Sequence, residues 1–194
     1  MAEASRAVVL VEGTSDEVAL QTLAQRRGRD LDAEGVSIVA MGGAQSIGRF
    51  LDRFGPRRLD ARVAGLCDAG EEREFRRALD RAGMEWLGFY VCVVDLEDEL
   101  IRALGAPSVE EVVEAQGELG AFRTLQKQPA WRGRPVEEQL RRFMGSGGRR
   151  KIRYVRLLVD ALDLGRVPRP LDEVLARVTV VATGRSSSIS SCRR

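Results

Sequence analysis

Three apolar runs in this chain stop at an acid. Residues 8–11 (VVLV) lead into Glu12, residues 62–67 (RVAGLC) into Asp68, and residues 87–94 (LGFYVCVV) into Asp95, with Glu97 two positions further on. If these runs are parallel strands, their carboxyl ends share one sheet edge, where open α/β sheets bind their ligands. Asp16, one helical turn beyond Glu12, points back toward the same edge. Such carboxylates repel one another, and a divalent cation is the usual means of neutralising them. Hard oxygen donors without histidine or cysteine among them suit Mg²⁺ or Mn²⁺. The competing reading is that each acid caps the helix after it, a common habit of strand-to-helix turns. Asp68 and Asp95 both stand where a cap belongs. Thr14 or Ser15 suits the cap of the helix that follows Glu12.

Composition narrows the chemistry. No histidine occurs among the 194 residues, which removes Ser-His-Asp and Cys-His nucleophilic mechanisms and His-based zinc sites. The three cysteines show no C-x-x-C spacing. Cys67 and Cys92 fall in apolar runs, as small core residues do, and Cys192 lies in a polar stretch. The lack of a disulfide framework fits a reducing cytoplasm. No apolar span or signal segment opens the chain, so neither membrane insertion nor secretion is expected.

Basic and acidic residues number 31 and 29 and nearly cancel, so their placement matters more than their sum. Basic residues concentrate between positions 132 and 169. Within that stretch residues 145–154 (GSGGRRKIRY) run from flexible glycines into Arg149, Arg150, Lys151 and Arg153. A basic cluster at a loop-to-helix boundary suits phosphate contact; a solvated helix start is the plainer alternative. Lys151 is one of two lysines, the other being Lys127, and it offers a point charge that the arginine fork does not mimic. Trp131, beside Arg132 and Arg134, offers a face for stacking on a base, although a lone tryptophan is more often packing. Gly42-Gly43 lets backbone approach a phosphate but lacks the Lys-Ser/Thr of a P-loop, and a tight turn explains it as well.

The elements that position these groups follow from periodicity. Strands are expected at residues 8–11, 36–41, 62–67 and 87–94. Helices are expected between and after them, at 17–27 (Val18, Leu20 and Leu23 inward), 45–54, 71–82 and 97–104. Strands alternating with helices predict an α/β fold with a parallel sheet covered on both faces. From Pro107 onward the pattern becomes helical, with helices at 109–116, 119–127, 136–143, 151–162 and 171–178 punctuated by proline and glycine. Residues 178–182 read alternatively as a short strand. The expected organisation is an α/β domain over residues 1–106, a helical appendage over 107–183, and a low-complexity, disordered tail over 184–194.

Taken in order, V-V-L-V-E-G-T-S-D, M-G-G, L-C-D-A-G-E-E and D-L-E-D-E-L resemble the TOPRIM domain. The version they resemble is that of overcoming-lysogenisation-defect (OLD) nucleases, in a standalone form without the ATPase domain. The similarity spans roughly residues 8–104, and L-Q-K-Q-P-A-W and G-R-R-K-I-R-Y also resemble the helical part that follows in that group. The resemblance implies a four-stranded parallel TOPRIM sheet flanked by helices, and metal-dependent hydrolysis of DNA phosphodiester bonds. It implies that Glu12, Asp16 and Glu97 hold one Mg²⁺ or Mn²⁺, that Asp68 holds or shares a second, that Asp95 assists, and that Lys151 stabilises the transition state. DNA is the implied partner, with an ATPase supplied in trans as a second. Such domains usually carry Asp-x-Asp after the third strand, and Gly70 stands at the second position here. Tyr90 and Tyr154 do not stand out as topoisomerase nucleophiles. Two further readings remain: a degenerate TOPRIM that binds nucleic acid or an ATPase without catalysis, and transfer to a small nucleotide.

Overall fold

A computed structural model describes residues 7–55 and 62–179. Its strands are β1 (Ala7–Val11), β2 (Val36–Ala40), β3 (Arg62–Asp68) and β4 (Phe89–Cys92). They form one parallel sheet in the order β2-β1-β3-β4. The chain moves outward from β1 to β2, then crosses back to lay β3 on the other side of β1. The winding therefore reverses between β1 and β3, opening a crevice beyond their carboxyl ends. Glu12 and Asp68 flank that crevice.

Alternation along β1 divides the interior into two layers. Val8 and Leu10 join Val63, Cys67 and Phe89 against α2 (Ile47–Phe54) and α3 (Glu72–Ala82), where Ile47, Leu51, Phe75, Ala78 and Leu79 are buried. Val9 and Val11 join Ala64, Leu66 and Cys92 on the opposite face, against α1 (Thr14–Arg26) and α4 (Leu96–Leu104). On α1 the buried set is Ala19, Leu20, Leu23 and Ala24; Val18, expected inward, is only half-buried.

The helices expected beyond residue 106 complete that second layer. They are α5 (Ala106–Ala115), α6 (Leu119–Lys127), α7 (Val136–Met144), α8 (Gly148–Ala161) and α9 (Arg169–Arg177). Their buried residues, from Val109 to Leu175, belong to the same continuous core as Val9 and Val11. Phe122, Phe143 and Tyr154 meet edge-on there at centroid distances of 5.4 and 6.1 Å. Helix α8 lies on α1, and Arg26 of α1 donates to the carbonyls of Val159 and Leu162 at 2.6 and 2.8 Å. Those carbonyls sit at the end of α8, where intrahelical donors run out; the Leu162 N–H also reaches the Val159 carbonyl, at 3.3 Å.

Two expectations shift. β4 ends at Cys92 rather than Val94, because the Val93 N–H donates to Glu99 Oε1 at 2.8 Å instead of pairing in the sheet. Val93 and Val94 are exposed beyond that end, and Leu87 is exposed before the strand, which begins at Phe89 rather than Leu87. Helix α1 is capped by Gly13, not by Thr14 or Ser15: the Gly13 N–H donates to Asp16 Oδ2 at 2.9 Å, so the carboxylate reaches back to the turn. The tail over 184–194, Cys192 and the end of the alternative strand at 178–182 lie outside the described residues. No helix among the described residues is long and apolar enough to cross a membrane.

The sheet is closely packed at Gly65, opposite Phe89 in register. A Cβ there would lie 2.6 Å from the Phe89 ring and 3.1 Å from the Leu10 carbonyl oxygen. Gly65→Ala is expected to cost about 1–3 kcal/mol through overpacking. The check is a lower urea midpoint at unchanged slope.

Candidate metal centre at the carboxyl edge of the sheet

Glu12 leaves β1 at the crevice, and the turn of β2 holds it there. The Gly42 and Gly43 N–H groups both donate to the Glu12 carbonyl at 3.0 Å. They do so with φ of +75° and +120°, backbone that glycine adopts without strain. The dipeptide thus serves as the turn that anchors Glu12, and these N–H groups are not turned to a phosphate. The Glu12 side chain is half-buried, and its Oε2 is buried with no hydrogen-bond partner. Burial raises its pKa first, Asp16 and Glu71 raise it further, and Lys151 opposes them.

Asp68 ends β3 without capping α3; the cap position is Glu71, whose N–H donates to the Asp68 carbonyl at 2.9 Å. The Asp68 carboxyl is pushed up to about 7, chiefly by burial and then by Asp16, Asp95 and Glu12, against Lys151. Asp16 is raised by burial and by Asp95, opposed by the Gly13 N–H and Lys151. Glu97, in the first turn of α4 and 3% exposed, is raised by burial and Asp95 and lowered by Lys151. Its Oε1 lies 3.1 Å from Lys151 Nζ. Burial pulls the Lys151 ammonium down, but Glu97, Asp16 and Asp68 outweigh it and the net direction is up.

Asp95 takes the capping role. Its Oδ1 accepts from the Asp98 N–H at 2.9 Å and its Oδ2 from Arg141 Nε at 2.6 Å. Both oxygens are engaged within the protein. Arg141, on α7, carried no sequence signal, because nothing in the primary pattern links it to residue 95.

Of the cations expected at phosphate, Lys151 turns to the carboxylates, whereas Arg150 and Arg153 turn to Glu118. Arg153 pairs with Glu118 Oε1, Arg150 Nε lies 3.3 Å from Oε2, and the Tyr154 hydroxyl donates to Oε2 at 3.0 Å. Arg149 is exposed, with no carboxylate partner among the described residues. Glu72 pairs with Arg76 at 2.6 Å, leaving Glu71 as the acid of that turn nearest in effect to Glu12.

The donors fit a hard divalent cation: all are carboxylate oxygens, they are partly desolvated, and one Glu12 oxygen lacks a partner. Among the described residues no group of three acids or thiols is arranged to hold a metal ion.

An all-parallel four-stranded sheet with carboxylates at its winding reversal is the architecture expected of a TOPRIM-type α/β domain. Within that class the likeness is to OLD proteins: residues 5–69 match the family model described as "Overcoming lysogenization defect protein-like, TOPRIM domain". The fold is that of the C-terminal region of the Burkholderia pseudomallei OLD protein, at TM-score 0.67 and 18% identity, covering 90% of this chain and 96% of that one. The C-terminal region of the Xanthomonas campestris pv. campestris OLD protein matches at TM-score 0.68 and 23% identity, covering 90% and 92%. No curated protein matches by sequence. Glu12, Asp16 and Asp68 lie inside the matched residues, and Asp95, Glu97 and Lys151 beyond them.

A raised Asp68 pKa has a signed consequence. Between about pH 4 and pH 7 the native state binds this proton more tightly than the unfolded chain, so metal-free stability falls as pH rises through that window. Asp68→Asn removes that part of the slope. In thermal melts with EDTA, the variant is expected to gain on the wild-type protein between pH 4 and pH 8.

Proposed function

We propose that this protein is a divalent-metal-dependent nuclease that hydrolyses DNA phosphodiester bonds, nicking one strand at a time. The reading rests on one observation: at the carboxyl edge of the sheet Lys151 Nζ lies 3.1 Å from Glu97 Oε1, and the same ammonium lowers the carboxyl pKa of Glu12, Asp16 and Asp68. TOPRIM domains bind divalent metals and act on nucleic acid, which supports it.

In this reading Glu12, Asp16 and Glu97 would hold one Mg²⁺ or Mn²⁺ and Asp68 a second, with Glu71 on the neighbouring turn. A bound cation supplies Lewis-acid stabilisation and a nucleophilic water near neutral pH. Lys151 places positive charge where negative charge develops on phosphorus. Asp95 orients Arg141 and fixes the start of α4, holding Glu97 in place. Arg149, exposed and with no carboxylate partner among the described residues, is left for a backbone phosphate. DNA is the proposed partner, with an ATPase in trans as a second. The cytoplasm is the compartment we assign, where buried thiols such as Cys67 and Cys92 stay reduced.

The second reading, a module that binds nucleic acid or an ATPase without cutting, draws on Gly70 and on the lack of a preassembled three-acid group. Nicking of supercoiled plasmid separates the two. With Mg²⁺ or Mn²⁺ the wild-type protein is expected to nick, and Glu12→Gln to lose about 100-fold or more of that rate. Equal nicking by both, or none by either, sinks the nuclease reading. A Cβ at Gly70 meets nothing within 4 Å, so Gly70→Asp should fold normally and bind Mn²⁺ more tightly by calorimetry.

A further inference from the structure

A groove of about 570 Å³ opens directly beside the carboxylates, a size ordinary for small-ligand sites. Asp95, Glu97 and Lys151 form its inner end, and Trp131, Arg134 and Arg142 its outer wall. The two ends belong to different elements, α4 with α8 on one side and α7 with the loop before it on the other.

The tryptophan is held in position. Buried Gln139 donates through Nε2 to the Trp131 carbonyl at 2.9 Å and accepts through Oε1 from Gln126 at 2.7 Å. The Trp131 N–H donates to the Gln128 carbonyl at 2.9 Å. Its indole nevertheless stays partly exposed and outside the buried core. The guanidinium carbons of Arg134 and Arg142 lie 5.0 and 5.9 Å from its ring. An indole outside both core clusters, on a pinned loop, touched by cations and lining the same groove as Asp95 and Glu97, is placed to meet a ligand.

Charge in the groove is mostly settled internally. Asp95 pairs with Arg141, Glu97 with Lys151, Asp98 with Arg102 and Glu138 with Arg134. Arg142 is exposed and has no carboxylate partner among the described residues. One uncommitted guanidinium beside an accessible indole suits a phosphate joined to a flat ring. Stacking on the indole needs a base with a free face, which an intact duplex does not present.

We propose that this groove binds a single-stranded segment of DNA beside the metal centre, with an unpaired base on Trp131 and a backbone phosphate at Arg142. The assignment rests on the nuclease reading and adds to it: the preferred substrate carries unpaired nucleotides next to the cut.

The test uses the full chain. Trp86→Phe leaves Trp131 as the one tryptophan, since the sequence holds two. Trp86 lies beneath Arg76 and against Phe89, away from the groove. In EDTA, where no cutting occurs, a ten-nucleotide deoxythymidine strand is added and Trp131 emission is read. Quenching is expected with the single strand and not with a duplex of equal length. By anisotropy of a labelled strand, Trp131→Ala and Arg142→Glu should each weaken binding about tenfold. Trp131→Phe should restore most of the loss, and Arg156→Glu, at an exposed residue paired with Asp160, should change nothing. Wild-type affinity in Trp131→Ala and Arg142→Glu, while Glu12→Gln still abolishes nicking, overturns the groove and leaves the nuclease intact. Quenching by duplex equal to that by single strand, or tighter binding of RNA, overturns the choice of ligand. No binding together with no nicking removes both readings.

Discussion

Gathering Glu12, Asp16, Asp68 and Glu97 at one edge of a parallel sheet concentrates negative charge in half-buried surroundings, and Lys151 is the charge that offsets it from within. A unit pair about 4 Å apart is worth about 4 kcal/mol at an effective dielectric near 20. One ammonium does not neutralise four acids at that scale. Burial first, and repulsion among the acids second, raise all four carboxyls, with Asp68 carried to about 7. An edge with this much uncompensated acidity favours a further cation, which is the physical basis for reading it as a metal centre.

Everything that delivers Lys151 therefore belongs to the site. Helix α8 is held against α1 by buried side chains and by Arg26 at its C-terminal carbonyls. At its other end Arg150, Arg153 and Tyr154 share a side at helical spacing and close on Glu118. Lys151, about 100° around the helix from Arg150, is turned to Glu97 instead. The glutamate bracket and the ion pair hold the helix in one rotation, so a cluster that reads as four equivalent cations divides into one facing the carboxylates, two structural ones and one left exposed.

Much of the fold was legible in the chain. Apolar runs placed the four strands, three of them ending in acids, and helical periodicity placed the later helices to within a few residues of their observed bounds. The end of β4 was misread because Val93 and Val94 continue the apolar pattern, whereas a side-chain acceptor, Glu99, takes the Val93 N–H out of the sheet. The choice between cap and free acid was also closed to sequence. Asp95 and Asp68 stand in equivalent local settings, yet one caps a helix and pairs with Arg141, while the carboxylate of the other makes no hydrogen bond among the described residues.

By itself the sequence determined the parallel α/β sheet and the shared edge of Glu12, Asp68 and Glu97, since both follow from local pattern and from the direction of parallel strands. It also determined the donor chemistry, because a chain without histidine presents carboxylate oxygens alone at that edge. Tertiary structure decided which charges meet. The pairing of Lys151 with Glu97, of Arg141 with Asp95, and the placement of Trp131 beside the acids depend on helices α6 to α8 folding back onto α1, α4 and α5. Those contacts join residues tens of positions apart, and no local periodicity encodes them.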